Sequence, residues 1–151
     1  MNFKRIASEL ADLHRDPAET GLMRPIDTDD TFEWVARVSG LQGSPYARGI
    51  FDISIAFEDD HPRGPPRIAL STPLFHPNVS EQGEIRLAEL DKTQWSPAIT
   101  IRTFLISLQA MLSNPNPLES CILNEEAAAL YLQDTAEFGK RARQWTEILA
   151  V

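Results

Sequence analysis

Leu74-Phe75-His76-Pro77-Asn78-Val79, then Gly83-Glu84-Ile85-Arg86-Leu87 and Trp95-Ser96-Pro97-Ala98, punctuate a stretch from Ser71 to Ala98 that keeps neither a helical nor a strand period. Proline, glycine, asparagine and acidic side chains crowd it, leaving about 28 residues without obvious regular structure. Irregular segments of that length are functional or disordered. What flanks this one is strongly patterned, and the pattern gives the fold class.

Upstream, Phe3, Ile6, Ala7, Leu10, Ala11 and Leu13 recur at three- and four-residue intervals, predicting an amphipathic helix over 3–14 that Asp16-Pro17 ends. From Phe32 to Val38 large apolar side chains alternate with polar ones, as in a half-buried strand. Gly40 and Gly43-Ser44-Pro45 supply a turn, and Phe51, Ile53, Ile55 and Phe57 make the clearest strand in the chain. A shorter strand, Arg67–Ser71, follows the extended Pro65-Pro66 pair. Downstream, Ile101, Phe104, Leu105, Leu108, Met111 and Leu112 predict a mainly apolar core helix stopped at Asn114-Pro115-Asn116-Pro117. Asn124 is an N-cap with Glu125 and Glu126 at the positive end of a helix running through Tyr131. Asp134 and Glu137 have capping-box spacing for a last helix whose Phe138, Ala142, Trp145 and Leu149 share a face. Sequential strands joined by short turns pair antiparallel, so the expectation is an α+β domain: a helix, a meander of three or four strands, a long loop and three helices.

At 151 residues and 16.9 kDa, residues 1–151 are expected to form one domain. The charge of −8 argues against nucleic acid as a partner, because phosphate neutralisation needs clustered Lys and Arg. The basic pairs Lys4-Arg5 and Lys140-Arg141, with Arg143, read as solvated helix faces. No stretch approaches the roughly 20 apolar residues of a membrane span, and the first residues lack the apolar core of a signal peptide. Cys121 is the single cysteine, which suits a reducing compartment, cytoplasmic or nuclear. His14, His61 and His76 are too scattered for a zinc site and no glycine-rich phosphate loop is present, so no metal or cofactor is expected.

The motifs and their order resemble the ubiquitin-conjugating enzyme family over nearly the whole chain. Matching segments run in register: Lys4-Arg5-Ile6 with Glu9-Leu10, Asp16-Pro17, Trp34, Ser44-Pro45-Tyr46, Phe51, Pro65-Pro66, His76-Pro77-Asn78, Trp95–Ala98, Pro115-Asn116-Pro117, Asn124–Ala128 and Ala142–Thr146. The resemblance implies that family's fold with a four-stranded antiparallel meander. It also puts Arg86 in the slot where the family carries its nucleophilic cysteine. A thiolate can take over a modifier as a thioester; a guanidinium stays protonated and offers no lone pair.

Other roles follow from the same resemblance. Asn78 falls at the position credited with stabilising the oxyanion, although with Arg86 in the slot His76 and Asn78 read better as pins that hydrogen-bond the long loop. Glu119 falls at an acidic position that steers an incoming lysine. Cys121 reads first as a small apolar filler and second as a relocated nucleophile. Lys4 and Arg5 match the basic helix face that meets the activating enzyme, though Ser8 stands where another basic residue is frequent. Ser96, Pro97 and Ala98 match half of a ligase-binding surface, and Arg63 replaces the aromatic anchor common in its other half. The implied partners are ubiquitin or a ubiquitin-like modifier, an activating enzyme, a ubiquitin ligase or an active conjugating enzyme. Two functions fit: a non-catalytic binding or regulatory member of the pathway, or a conjugating enzyme whose nucleophile has been replaced at Arg86 or moved to Cys121.

Overall fold

The apolar stripe of the first residues forms helix α1, Phe3–Arg15, which buries Ile6 and Leu13. The computed structural model describes residues 3–15, 24–26, 33–87 and 94–150; Asp16-Pro17 and Phe32 lie outside them. Four strands follow, β1 (Arg24–Ile26), β2 (Glu33–Ser39), β3 (Ile50–Ala56) and β4 (Arg67–Leu70), paired antiparallel in chain order. The register explains the alternation. Trp34, Ala36 and Val38 stand opposite Ile55, Ile53 and Phe51, and Ile53 and Ile55 stand opposite Leu70 and Ile68. All of these side chains are buried and share one sheet face.

Three of these strands follow from the sequence pattern. Arg24-Pro25-Ile26 does not, because three residues around a proline show no period; an edge strand tolerates the missing donor.

Helix α2, Ile101–Ser113, supplies the core, with Phe104, Leu105, Leu108 and Leu112 at most 1% exposed. Burying side chains of this kind contributes roughly 1.5–3 kcal/mol each. Thr100 caps its start by accepting from Thr103 N at 3.1 Å. The buried Glu9 of α1 adds a second tie, accepting from Ile101 N at 2.7 Å.

Helices α3 (Glu125–Gln133) and α4 (Thr135–Leu149) close the chain. Asn124 caps α3 by accepting from Ala127 N, as its position predicts. Asp134 accepts from Glu137 N at 3.1 Å, but its own N–H goes to Leu130 O, so only half of a capping box forms. On α4 the buried residues are Phe138, Gly139, Ala142 and Thr146. Leu149, expected on that face, is 43% exposed. Leu149 is the last residue of α4, and the packed side of the helix ends one turn earlier at Trp145 and Thr146.

Arg102 joins α2 to α1 by donating from Nε to the Asp12 carboxylate at 2.8 Å and from Nη2 to the Asp12 carbonyl at 2.7 Å. Chiefly the Arg102 hydrogen bond holds the Asp12 carboxyl below its ordinary value of 3.8. Its contribution to stability is therefore complete above the unfolded value and lost as pH falls through the lower folded one. An Asp12→Asn variant should lose about 1 kcal/mol at neutral pH, because the group is partly exposed. That deficit should shrink below pH 3.8. Urea melts of both proteins at neutral and acid pH check this; a deficit that does not change with pH would refute it.

Candidate functional site

Between β4 and α2 the chain forms no named helix or strand among the described residues. Paired backbone hydrogen bonds hold its first part. Ala69 bridges Glu84, Val79 bridges Ile85, and Leu70 N donates to Gly83 O at 2.9 Å. Gly83 has φ +91°, and a Cβ there would lie 2.1 Å from Leu70 O, so this crossing accepts only glycine. Val79 and Ile85 are buried, while Glu84 and Arg86 on either side of Ile85 are exposed.

His76 and Asn78 anchor this loop from inside. The His76 ring is fully buried; Nε2 donates to Met111 O at 3.0 Å, and Nδ1 accepts from Asn78 N at 3.0 Å. That pairing fixes the neutral tautomer, and burial pushes the ring pKa down to about 4. Asn78 is fully buried as well. Its Nδ2 donates to Asn116 O at 2.9 Å and to Cys121 O at 2.8 Å, while Oδ1 accepts from Asn116 N at 2.8 Å. Both amide hydrogens are thereby used. Pro77 O accepts from Leu123 N and Asn124 N, so Pro77 and Asn78 clasp the segment that leads into α3 while His76 holds the end of α2.

Arg86 stands directly beside this clasp, its N–H donating to Asn78 O at 3.0 Å. Its side chain is 48% exposed and meets Glu84 at 3.5 Å. On the other side of Asn78, residues Glu119–Cys121 form one 3-10 turn. Glu119 is exposed there, whereas Cys121 is half-buried with Sγ 3.6 Å from Asn116 Nδ2. The structure thus brings Arg86, His76 and Cys121 into hydrogen-bond contact with Asn78, while Glu119 opens the turn that ends at Cys121. Asn116 is the member the sequence reading passed over; an asparagine held between two prolines was its signal.

The expected partner-facing residues form a second group. Trp95 Nε1 donates to Pro62 O at 2.9 Å, bringing Ser96, Pro97 and Ala98 to the loop that carries exposed Arg63. Lys4, Phe3 and Arg63 line one shallow surface of about 650 Å³ with Asp59, Asp60, His61 and Pro62. Arg5 turns inward instead, donating to Ile99 O at 3.2 Å and lying 3.4 Å from Glu9. Beneath this surface buried His61 places Nε2 3.3 Å from Glu9, a pairing the sequence reading did not anticipate. Among the described residues no cluster of three or more His, Cys, Asp or Glu is placed to hold a metal, and no helix is long and apolar enough to cross a membrane.

The sequence matches the ubiquitin-conjugating enzyme family over residues 5–146. Among solved structures, the E2 domain of a ubiquitin conjugating enzyme from Toxoplasma gondii is similar to it, with 35% identity, 98% of each chain covered and a TM-score of 0.87. A family match over nearly all of its length, beside a solved relative that shares the fold, makes this chain a member of the ubiquitin-conjugating enzyme family.

Proposed function

We propose that this chain is a non-catalytic member of its family, which acts by binding proteins of the ubiquitin or ubiquitin-like pathway. One observation carries the reading: Arg86 follows His76-Pro77-Asn78 at the place where the resemblance to the family puts its cysteine nucleophile. A guanidinium cannot form the thioester on which transfer depends. The neighbouring geometry supports a binding role. Asn78 spends its amide on Asn116 and Cys121, so it serves as a clasp rather than a donor to an oxyanion. The surface around Arg63 and Ser96–Ala98 remains assembled for partner contact, with a cation where an aromatic anchor is common in relatives. A cytoplasmic or nuclear place of action goes with this reading.

Incubation with activating enzyme, ATP and ubiquitin tests it, using the natural chain and an Arg86→Cys variant on reducing and non-reducing gels. No adduct is expected on the natural chain. A reductant-sensitive adduct on it would overturn the reading. An adduct confined to Arg86→Cys would show that only the nucleophile has been lost.

A second reading moves the nucleophile to Cys121. It is favoured by the position of that thiol, whose own carbonyl is held by Asn78 and whose Sγ faces the Asn116 amide. The same gels decide it: an adduct on the natural chain that disappears in Cys121→Ala would establish the relocation.

A further inference from the structure

The basic residues of α4 divide by what they touch. Arg141 pairs with Glu126 and lies over the Phe75 ring, 5.4 Å from its centre. Lys140 and Arg143, neighbours one turn apart on the helix, are exposed, and among the described residues neither side chain has an ion-pair or hydrogen-bond partner. Glu147, one turn beyond Arg143, is exposed and pairs with neither. The segment 45–50 runs along this part of the helix. A Cβ on Gly139 would stand 3.4 Å from Arg143 Nη1 and 4.0 Å from Pro45 Cγ, one on Gly49 would stand 2.5 Å from Thr146 Cγ2, and Ile50 N donates to Ala150 O at 2.9 Å. Between Pro45 and Gly49 the segment carries Arg48, also exposed and also without a side-chain partner among the described residues. Its φ is +69°, in the left-handed region that glycine enters freely and a residue with a Cβ does not. No ion pair or hydrogen bond of its side chain within the described chain offsets that cost.

Two adjoining elements thus present three open cations in a chain whose net charge is −8. A long polyanion or a charged lipid surface laid on this face would also meet the negative charge around it, whereas a short segment bearing two or three carboxylates would not. The guanidinium forks of Arg48 and Arg143 each match a carboxylate through two parallel hydrogen bonds, and Lys140 adds a point charge. We infer that Arg48, Lys140 and Arg143 form a docking face for a short acidic segment of a partner protein. This face depends neither on Arg86 nor on the chain being non-catalytic.

Fluorescence anisotropy of a labelled tetraglutamate peptide, with a tetraglutamine peptide as its uncharged counterpart, tests this on the full chain at low ionic strength. The natural chain should bind the glutamate peptide several-fold more tightly than the glutamine one. Lys140→Gln and Arg143→Gln should each weaken that binding roughly five-fold, the scale of one exposed ion pair. Arg48→Gly should weaken it by a similar factor while unfolding at no lower denaturant concentration, because glycine accepts the left-handed backbone. Arg15→Gln, which removes one exposed cation from α1, should bind as the natural chain does. Equal binding of the two peptides would overturn the inference, as would a loss in Arg15→Gln matching that in Arg143→Gln. Capture of the chain by phosphatidylserine vesicles without binding of the glutamate peptide would overturn it in favour of a lipid surface.

Discussion

An Asn78→Asp variant is expected to lose about 3–5 kcal/mol of stability at neutral pH, the range for stranding a charge among buried partners. The substitution changes one atom in size and shape hardly at all. What it reverses is the sign of two contacts. Nδ2 now donates to Asn116 O at 2.9 Å and Cys121 O at 2.8 Å; a carboxylate oxygen there would face two carbonyl oxygens at hydrogen-bond distance. Oδ1 would still accept from Asn116 N, recovering one bond of three. Asn78→Ala should lose less, about 2–3 kcal/mol, because it leaves polar groups unpaired without adding repulsion. The ordering is the diagnostic. A carboxyl can protonate and donate once, so the deficit of Asn78→Asp should shrink in acid while that of Asn78→Ala should not follow it. Urea melts at two pH values measure both. If both variants melt within 1 kcal/mol of the natural chain, roughly the worth of one ordinary hydrogen bond, the amide is no clasp.

This clasp also marks where reading the sequence reaches its limit. Alternation from Trp34 to Val38 and from Phe51 to Ile55 revealed both strands, because burial on one face imposes a period of two. The apolar run of Ile101 to Leu112 likewise announced a helix at the centre of the core. Arg24–Ile26 left no trace, since an edge strand of three residues needs neither period nor inward side chains. Among the site residues, His76, Asn78 and Arg86 stood out through a local motif, yet nothing local joins Asn78 to Asn116, 38 positions away. That pairing depends on how the long loop is carried back across the end of α2. Gly83 belongs to the same class: its glycine is obligatory because φ is +91° and Leu70 O passes 2.1 Å from where a Cβ would stand.

His76 should make the protein acid-sensitive between pH 6.5 and about 4. Its folded pKa is pushed down to about 4 from an ordinary 6.5, first by burial, against which the backbone carbonyls of Met111 and Leu112 act only in part. Above 6.5 neither the folded nor the unfolded imidazole is protonated, and the full contribution is present. As pH falls below that value the unfolded chain takes up a proton that the folded chain refuses, so stability declines until about pH 4, where the folded ring protonates too. The shift corresponds to roughly 3 kcal/mol lost across the window. A proton on Nδ1 would also confront Asn78 N–H, turning an accepted bond into a clash of two donors and loosening the clasp beside Arg86. His76→Gln removes the titration while keeping polar groups near Met111 O and Asn78 N. It should be less stable than the natural chain at neutral pH, and its stability should fall by about 3 kcal/mol less on acidification. Denaturant melts of the two proteins between pH 7 and 4 separate this histidine from the other titrating groups they share; parallel stability curves would refute the assignment.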